Sequence, residues 1–404
     1  MYQSRKQGMT LLSKRMIVGS SLLISLLSAT SAFASDKNPC HIIYDAGSSG
    51  TRMYVYEQRS DQWKVHKGPK MEALADPIRQ HRGKTAQDIP LVVTQLADTL
   101  QQIKAEGPHN EKGKPAWRAF NWQTSCELQS VMVYATAGMR IAEQNNPQQS
   151  QQMWQALNQA LRQQLPDSVD VVTKTLSGYE EGLYAWLAVH DEVQNTQFGI
   201  VEMGGASSQV TFPCPDCEPN DALRRVKVGN QELPMYSYSF LGLGQDEAAK
   251  VLGVAESCQH GIGSRQKNWQ LSACQETLKL TQSGDILDPY NYQYQYQYQQ
   301  QAQYRKIPTE QGRQVEWYLT GAFKHRQTND EQQCCINSGA CHKAETSCFR
   351  VAYLPKYLQA LGVPNDAPVK KDADWPLGAA ICRSNDCLAN AEPPVCRWNK
   401  NGCL

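Results

Sequence analysis

Two short runs, residues 41–44 and 53–56, are apolar and rich in β-branched or aromatic side chains, and Asp45-Ala46-Gly47-Ser48-Ser49-Gly50-Thr51-Arg52 lies between them. Such runs around a small-residue, oxygen-rich loop predict a β-hairpin. The signature returns at residues 199–201 and 210–212, joined by Glu202-Met203-Gly204-Gly205-Ala206-Ser207-Ser208-Gln209. Between the two, residues 89–105 and 148–165 have helical apolar spacing, the latter ended by Pro166. Residues 131–134 read as a strand running into Ala135-Thr136-Ala137-Gly138-Met139-Arg140. Residues 169–176 read as another, running into Ser177-Gly178-Tyr179-Glu180-Glu181-Gly182 with a helix at 183–189. A strand, loop and strand unit near the start of each half predicts an internal duplication. Residues 291–303 alternate Tyr and Gln at period two, which suits an exposed hairpin or a contact surface for a substrate or partner.

At 404 residues the chain suits two domains of roughly 150 to 200 residues, and two lobes make a cleft possible. Its 40 basic and 39 acidic residues give no field that would favour nucleic acid. The N-terminus changes the picture more. Arg5, Lys6, Lys14 and Arg15 precede an apolar run at 16–27 and then Ala32-Phe33-Ala34. That order predicts a secretory signal peptide over residues 1–34, cut near Ala34. The run is shorter than the ~20 residues that span a bilayer. The mature chain is therefore expected to be secreted or periplasmic, soluble, without stable membrane insertion, and a monomer. Fourteen cysteines follow, an even count that favours disulfides in an exported chain. Cys214-x-x-Cys217 is also half of a zinc pattern, though no second CxxC stands at zinc-site spacing. Close pairs such as Cys258/Cys274, Cys382/Cys387 and Cys396/Cys403 could clip local loops, without spacing fixing the connectivity.

Hydrolysis of a phosphoanhydride needs close backbone N–H groups, a divalent cation and a base that orients water. Both loops supply a carboxylate, glycines and hydroxyls. One such loop is weak evidence, since Gly-Gly and Ser-Ser more often mark plain turns. Two matched acidic loops point to two lobes facing each other across a phosphate chain. Glu180 and Glu181 are neighbours, so only one can face the cleft; an acidic first helical turn is the competing reading for both.

Five segments in order resemble the conserved regions of the ecto-nucleoside triphosphate diphosphohydrolase (apyrase) family. They are Ile43 through Arg52, Ala135 through Arg140, Leu176 through Gly182, Val201 through Gln209, and Ser239-Phe240-Leu241-Gly242-Leu243-Gly244. Cys348-Phe349-Arg350-Val351-Ala352-Tyr353-Leu354 and Trp375-Pro376-Leu377-Gly378 resemble later segments, and the chain looks like a secreted bacterial-type member. The resemblance implies an α/β fold of two ribonuclease-H-like lobes, as in the actin, hexokinase and Hsp70 superfamily, with the site between them. The expected division is residues 35–177 with 366–404 in lobe I and 178–365 in lobe II. The implied catalytic residues are Glu181 as base, with Ser207 and Gln209 placing the water. Gly47, Ser48, Ser49, Arg52, Thr136, Gly204, Gly205 and Ala206 would bind phosphate. Asp45, Glu202, Thr136 and Trp375 would hold Mg²⁺ or Ca²⁺ through water, and Tyr353 is a candidate for the nucleobase. Glu202 stands where the family usually has Asp, which puts metal preference in question. The expected substrates are nucleoside tri- and diphosphates. Rival readings are an exopolyphosphatase of the same superfamily, a phosphotransferase, and a secreted nucleotide-binding or adhesion protein.

Overall fold

In the computed structural model the first hairpin is β1 (Pro39–Gly47) and β2 (Gly50–Arg59). The strands outrun the two apolar runs, because Asp45 pairs with Arg52 across the ladder and only Ser48 and Ser49 form the turn. The structure describes residues 37–60, 62–101, 104–109, 115–119, 121–253, 256–258, 269–290, 304–308, 315–325, 335, 344–389, 398–399 and 402–403. The expected leader, the Tyr/Gln segment at 291–303 and the Cys396/Cys403 pairing lie outside what is described.

The hairpin continues into β3 (Gln62–Met71), α1 (Ile89–Asp98), β4 (Glu127–Ala135), α2 (Ala137–Asn145), α3 (Pro147–Arg162) and β5 (Asp170–Thr175). The helix expected over 89–105 stops at Asp98, where the Thr99 hydroxyl donates to the Leu96 carbonyl and competes with the helix's own bonding. A short 3₁₀ turn follows, and residues 104–109 are strand. The sheet order is β3-β2-β1-β4-β5, with β1 to β3 antiparallel and β4 and β5 parallel to β1. That is the ribonuclease-H-like arrangement.

The second half begins with α4 (Gly178–Val193), then β6 (Phe198–Met203), β7 (Ser207–Pro213), β8 (Leu223–Val228), β9 (Gln231–Leu241), β10 (Glu316–Gly321), α5 (Ala344–Leu361) and α6 (Trp375–Asn385). Its sheet runs β8-β9-β7-β6-β10, with β6 and β7 antiparallel and β10 parallel to β6. Val369 adds one parallel bridge to Leu319, where the first sheet has a whole fifth strand. The duplication is therefore visible in topology, with one strand, β8, added at one edge and the last strand reduced to a bridge at the other.

Each sheet covers its outer face with its own core, Leu96, Met153 and Leu157 against the first and Tyr353, Tyr357 and Leu358 against the second. The inner faces share a third core built around α4 and α6. Trp186 of α4 stacks on Phe198 at 4.8 Å and donates Nε1–H to its carbonyl. At Gly378 of α6, a Cβ would stand 1.7 Å from the Tyr184 carbonyl oxygen, so only glycine lets the two helices approach this closely.

Among the described residues, five disulfides join Cys40 to Cys126, Cys214 to Cys217, Cys258 to Cys274, Cys335 to Cys348 and Cys382 to Cys387. The zinc alternative for Cys214 and Cys217 is thus overturned, because their thiols are bonded to each other. No helix among the described residues is long and apolar enough to cross a membrane.

Candidate active site

The two glycine-containing turns meet. A Cβ on Gly205 would lie 2.4 Å from Ser48 Oγ and 2.8 Å from Asp246 Oδ2. A Cβ on Gly138, in the first turn of α2, would lie 2.9 Å from Ser48 Cα. Missing side chains at these two positions let two backbone segments converge on Ser48. Gly50, at φ 152°, is required for another reason: a Cβ there would meet Lys70 Cε at 2.5 Å and the Met71 carbonyl at 2.9 Å.

Different groups hold the two turns. The second is fixed by backbone bonds from Gly242 to the Ala206 carbonyl, from Gln245 to that of Gly204, and from Asp246 and Glu247 to that of Gly205. Its own Gly204 N–H donates to the Ser207 carbonyl at 2.9 Å. The first is braced by Arg82, whose Nη1 donates to the Ser48 carbonyl at 3.2 Å and pairs with Asp76. An ion pair links the two supports, Arg79 Nη2 to Glu247 Oε1 at 2.8 Å, with side chains 13% and 11% exposed.

Behind the turns, α4 separates the roles of its two acidic residues. Ser177 caps the helix, accepting from the Glu180 N–H while Glu180 accepts from the Ser177 N–H and hydroxyl, a reciprocal capping box. Burial works against the charge on Glu180, but Lys174 and these bonds outweigh it and hold the carboxyl below its usual range. One residue on, and rotated about 100° around the helix, Glu181 points inward and is 4% exposed. Its Oε2 accepts from Arg140 Nη2 at 2.8 Å and from Gln209 Nε2 at 3.1 Å. Both bonds land on one oxygen. Burial raises the Glu181 carboxyl above its ordinary range, with Arg140 pulling the other way. Gly182 makes the fit possible, since a Cβ there would meet Ser237 Oγ at 2.3 Å and Thr211 Oγ1 at 2.5 Å.

Ser207 and Gln209 stand beside Glu181, as the sequence reading expects. Arg140 Nη2 reaches Ser207 Oγ at 3.0 Å, and Gln209 Nε2 reaches Ser207 Oγ and Ser239 Oγ, each at 2.8 Å. Gln209 Oε1 is buried without a partner. Asp45 lies close enough to Glu202 for its charge to act on it. Burial pushes Asp45 up to about 7, against Arg52, while Asp374 and Glu181 add to the rise. Glu202 is raised well above its usual range by burial and by the charges of Glu181, Asp374 and Asp45. Lys324 acts on both in the opposite direction.

Thr136 is the N-cap of α2 but its side chain makes no capping bond, so the hydroxyl is not committed to the helix. Trp375, in the first turn of α6, packs in the core between the sheets, 6.5 Å from the Tyr134 ring. Arg52 remains half open at 43% exposure, with Nη1 3.9 Å from Asp45. Tyr353 does not reach the site. It is fully buried, donates its hydroxyl to the Leu243 carbonyl at 2.6 Å and stacks on Phe349, which leaves no ring face for a base. Gly204 also departs from expectation, its N–H being occupied within its own turn. Sequence reasoning gave no role to Arg140, Ser239, Asp374 or Lys324. Arg140 and Ser239 stood in the quoted motifs; Asp374 immediately precedes one.

Residues 121–338 match the family model described as GDA1/CD39 (nucleoside phosphatase) family. The chain belongs to that family. Relatives include "Probable apyrase 4" of Arabidopsis thaliana, 32% identical over 218 residues that cover 52% of this chain and 40% of the relative. "Ectonucleoside triphosphate diphosphohydrolase 8" of Rattus norvegicus is 27% identical over 286 residues, 65% of this chain and 53% of the relative. The chain thus spans about half the length of the curated relatives it matches. A solved nucleoside triphosphate hydrolase from Neospora caninum aligns over 85% of this chain and 92% of its own, at 12% identity and TM-score 0.49. The GDA1/CD39 model runs from just before β4 to just before α5, so it takes in Thr136, Arg140, Glu181, Glu202 and Gln209.

Proposed function

We propose that this GDA1/CD39 family chain hydrolyses nucleoside tri- and diphosphates to the monophosphate and phosphate, by direct attack of water on the terminal phosphorus. The observation that carries this is the state of Glu181: a buried carboxylate with one oxygen fixed by Arg140 and Gln209 and the other outside those bonds. Glu181 Oε1 takes the water's proton as its oxygen attacks, and a carboxyl raised by burial is the better acceptor near neutral pH. Gln209 Oε1, buried without a partner, accepts the water's other hydrogen, and Ser207 stands beside it. The bond to the bridging oxygen breaks as the new bond forms, and the shortened nucleotide leaves. The N–H groups of Gly47, Ser48, Ser49, Gly205 and Ala206 line the facing turns for the phosphate oxygens, with Arg52 at the open side.

The site fits a divalent cation. Glu202 Oε2 is buried with no partner, and four carboxylates outnumber the cations acting on them. Asp45 and Glu202, with Thr136 and Trp375 alongside, would hold Mg²⁺ or Ca²⁺ through water. When bound, the ion supplies charge neutralisation along the phosphate chain. Names such as apyrase and ectonucleoside triphosphate diphosphohydrolase among the relatives favour nucleotides over polyphosphate. The disulfides among the described residues favour an oxidising compartment, in keeping with export after cleavage near Ala34.

Phosphate release from ATP, ADP, pyrophosphate and polyphosphate, with each cation, tests the proposal. Glu181→Gln should lower turnover by ~10²-fold or more while nucleotide still binds, since a lost general base typically costs 10²–10⁴. Equal rates for variant and parent would remove Glu181 as the base. Release from polyphosphate alone would select the exopolyphosphatase reading, and tight ATP binding without release the binding-protein reading.

A further inference from the structure

On the inner face of the second sheet, where Gln209 Oε1 already lacks a hydrogen-bond partner, Glu202 Oε2 and Thr320 Oγ1 lack one too. Glu202 and Thr320 are 8% and 1% exposed, so bulk solvent does not supply the missing bonds. They are also register partners, Thr320 of β10 beside Glu202 of β6 in the parallel ladder. Side-by-side residues in a sheet project to the same face. Here that face is set by Phe198, Ile200 and Tyr318, which belong to the core around α4, whereas Val201, Met203, Trp317 and Leu319 belong to the outer core. Thr320 therefore projects to the side where the charge of Glu181 acts on Glu202.

The next residue bears on the same point. Gly321 has φ +68°, and a Cβ there would stand 2.7 Å from Glu202 Oε1 and 2.4 Å from the Met203 carbonyl. The backbone after Thr320 thus leaves room for the length of a glutamate. A buried hydroxyl without a partner is costly, and valine has nearly the same shape without that cost. A threonine here calls for a ligand that supplies what the protein does not.

We infer that Thr320 is a further positioning residue of the cation site, holding a water of the ion's hydration shell together with Glu202. One hydrogen of that water goes to Glu202 Oε2 and the other to Thr320 Oγ1, leaving its lone pair for the ion. This rests on the cation-dependent reading above. It adds a residue from β10 that none of the acidic motifs contains, and it ties the longer acid to its neighbour in the sheet.

Calorimetry on the whole chain with a non-hydrolysable triphosphate analogue, titrated with Mg²⁺ or Ca²⁺, measures the half-saturating cation concentration without relying on turnover. Thr320→Val and Thr320→Ala should both raise it by about tenfold, the lower end of what such outer partners contribute. Thr320→Ser, which keeps the hydroxyl, should stay near the parent. Thermal unfolding without cation reports folding separately. A Thr320→Val variant with altered unfolding but the parent's cation requirement would show a purely structural threonine and overturn the inference alone. A parent that binds the analogue with no cation dependence would overturn the broader reading and this inference with it.

Discussion

The two glycine-containing turns share a topology and differ in what holds them. Each joins antiparallel strands whose first member also pairs with a parallel strand. The second turn is bonded by main chain to residues 242–247, so its shape follows from backbone geometry almost regardless of side chains. The first relies on the Arg82 side chain at Ser48, reinforced by Asp76. Beyond its own hairpin, one turn is therefore held mainly by main chain and the other by a side chain. Catalysis that depends on placement to within about an ångström, where misplacement can cost 10²-fold, would be sensitive to the Arg82 contact at Ser48.

Adding volume between the turns should break this arrangement most severely. Gly205→Val places atoms where Ser48 Oγ now lies, and kcat/KM should fall by ~10²-fold. Gly204→Ala meets nothing nearer than 3.4 Å and should retain most activity. Similar losses for both would mean that the turns do not work at contact distance. The linking ion pair gives a smaller, sharper test. Arg79→Glu or Glu247→Arg alone should reduce unfolding stability by about 2 kcal/mol, between the exposed and buried limits for such pairs. The exchanged double variant should recover much of the loss. If denaturant unfolding shows simple additivity, the pair does not couple the supports.

The smallest effect concerns how the first hairpin is tied to the final helix. His41 of β1 hydrogen-bonds Ser130 through Nδ1 and Ser384 of α6 through Nε2. Burial, assisted by Arg383, lowers its pKa to about 4 from 6.5. Between those values the unfolded chain binds more protons than the folded one, so this contribution falls as pH drops from 6.5 towards 4 and is constant outside that window. His41→Gln should flatten the pH dependence of stability there, read by denaturant titration at pH 4 to 7 against the parent. An unchanged slope would exclude His41 as its source.

The turns were legible in sequence for local reasons, because glycine and small residues between β-branched runs specify a tight turn. The residues alone left Glu180 and Glu181 open and only the family resemblance singled out Glu181; the Ser177 capping box that separates them is seen in the structure. What could not be read comes from distant segments. Arg140 meets Glu181 across 41 positions, and Thr320 takes meaning only from the β6–β10 register. Asp374 gains its role when α6 packs between the sheets. Tyr353 became a nucleobase candidate through resemblance to a later family segment, whereas the amphipathic spacing around it suited a core tyrosine, which is where the structure puts it. Cys214 and Cys217 were ambiguous because the same spacing serves zinc and a disulfide.

The contact at Gly378 has a consequence for when the machinery comes into being. A polypeptide made from its amino end carries Asp45, Glu181 and Glu202 long before Gly378 appears. The helix bearing Glu181 has its other wall only once α6 can be seated against Tyr184. The frame around Glu181 is thereby incomplete until Gly378 has been made, so a product that stops before it would hold Asp45, Glu181 and Glu202 without the wall that α6 supplies.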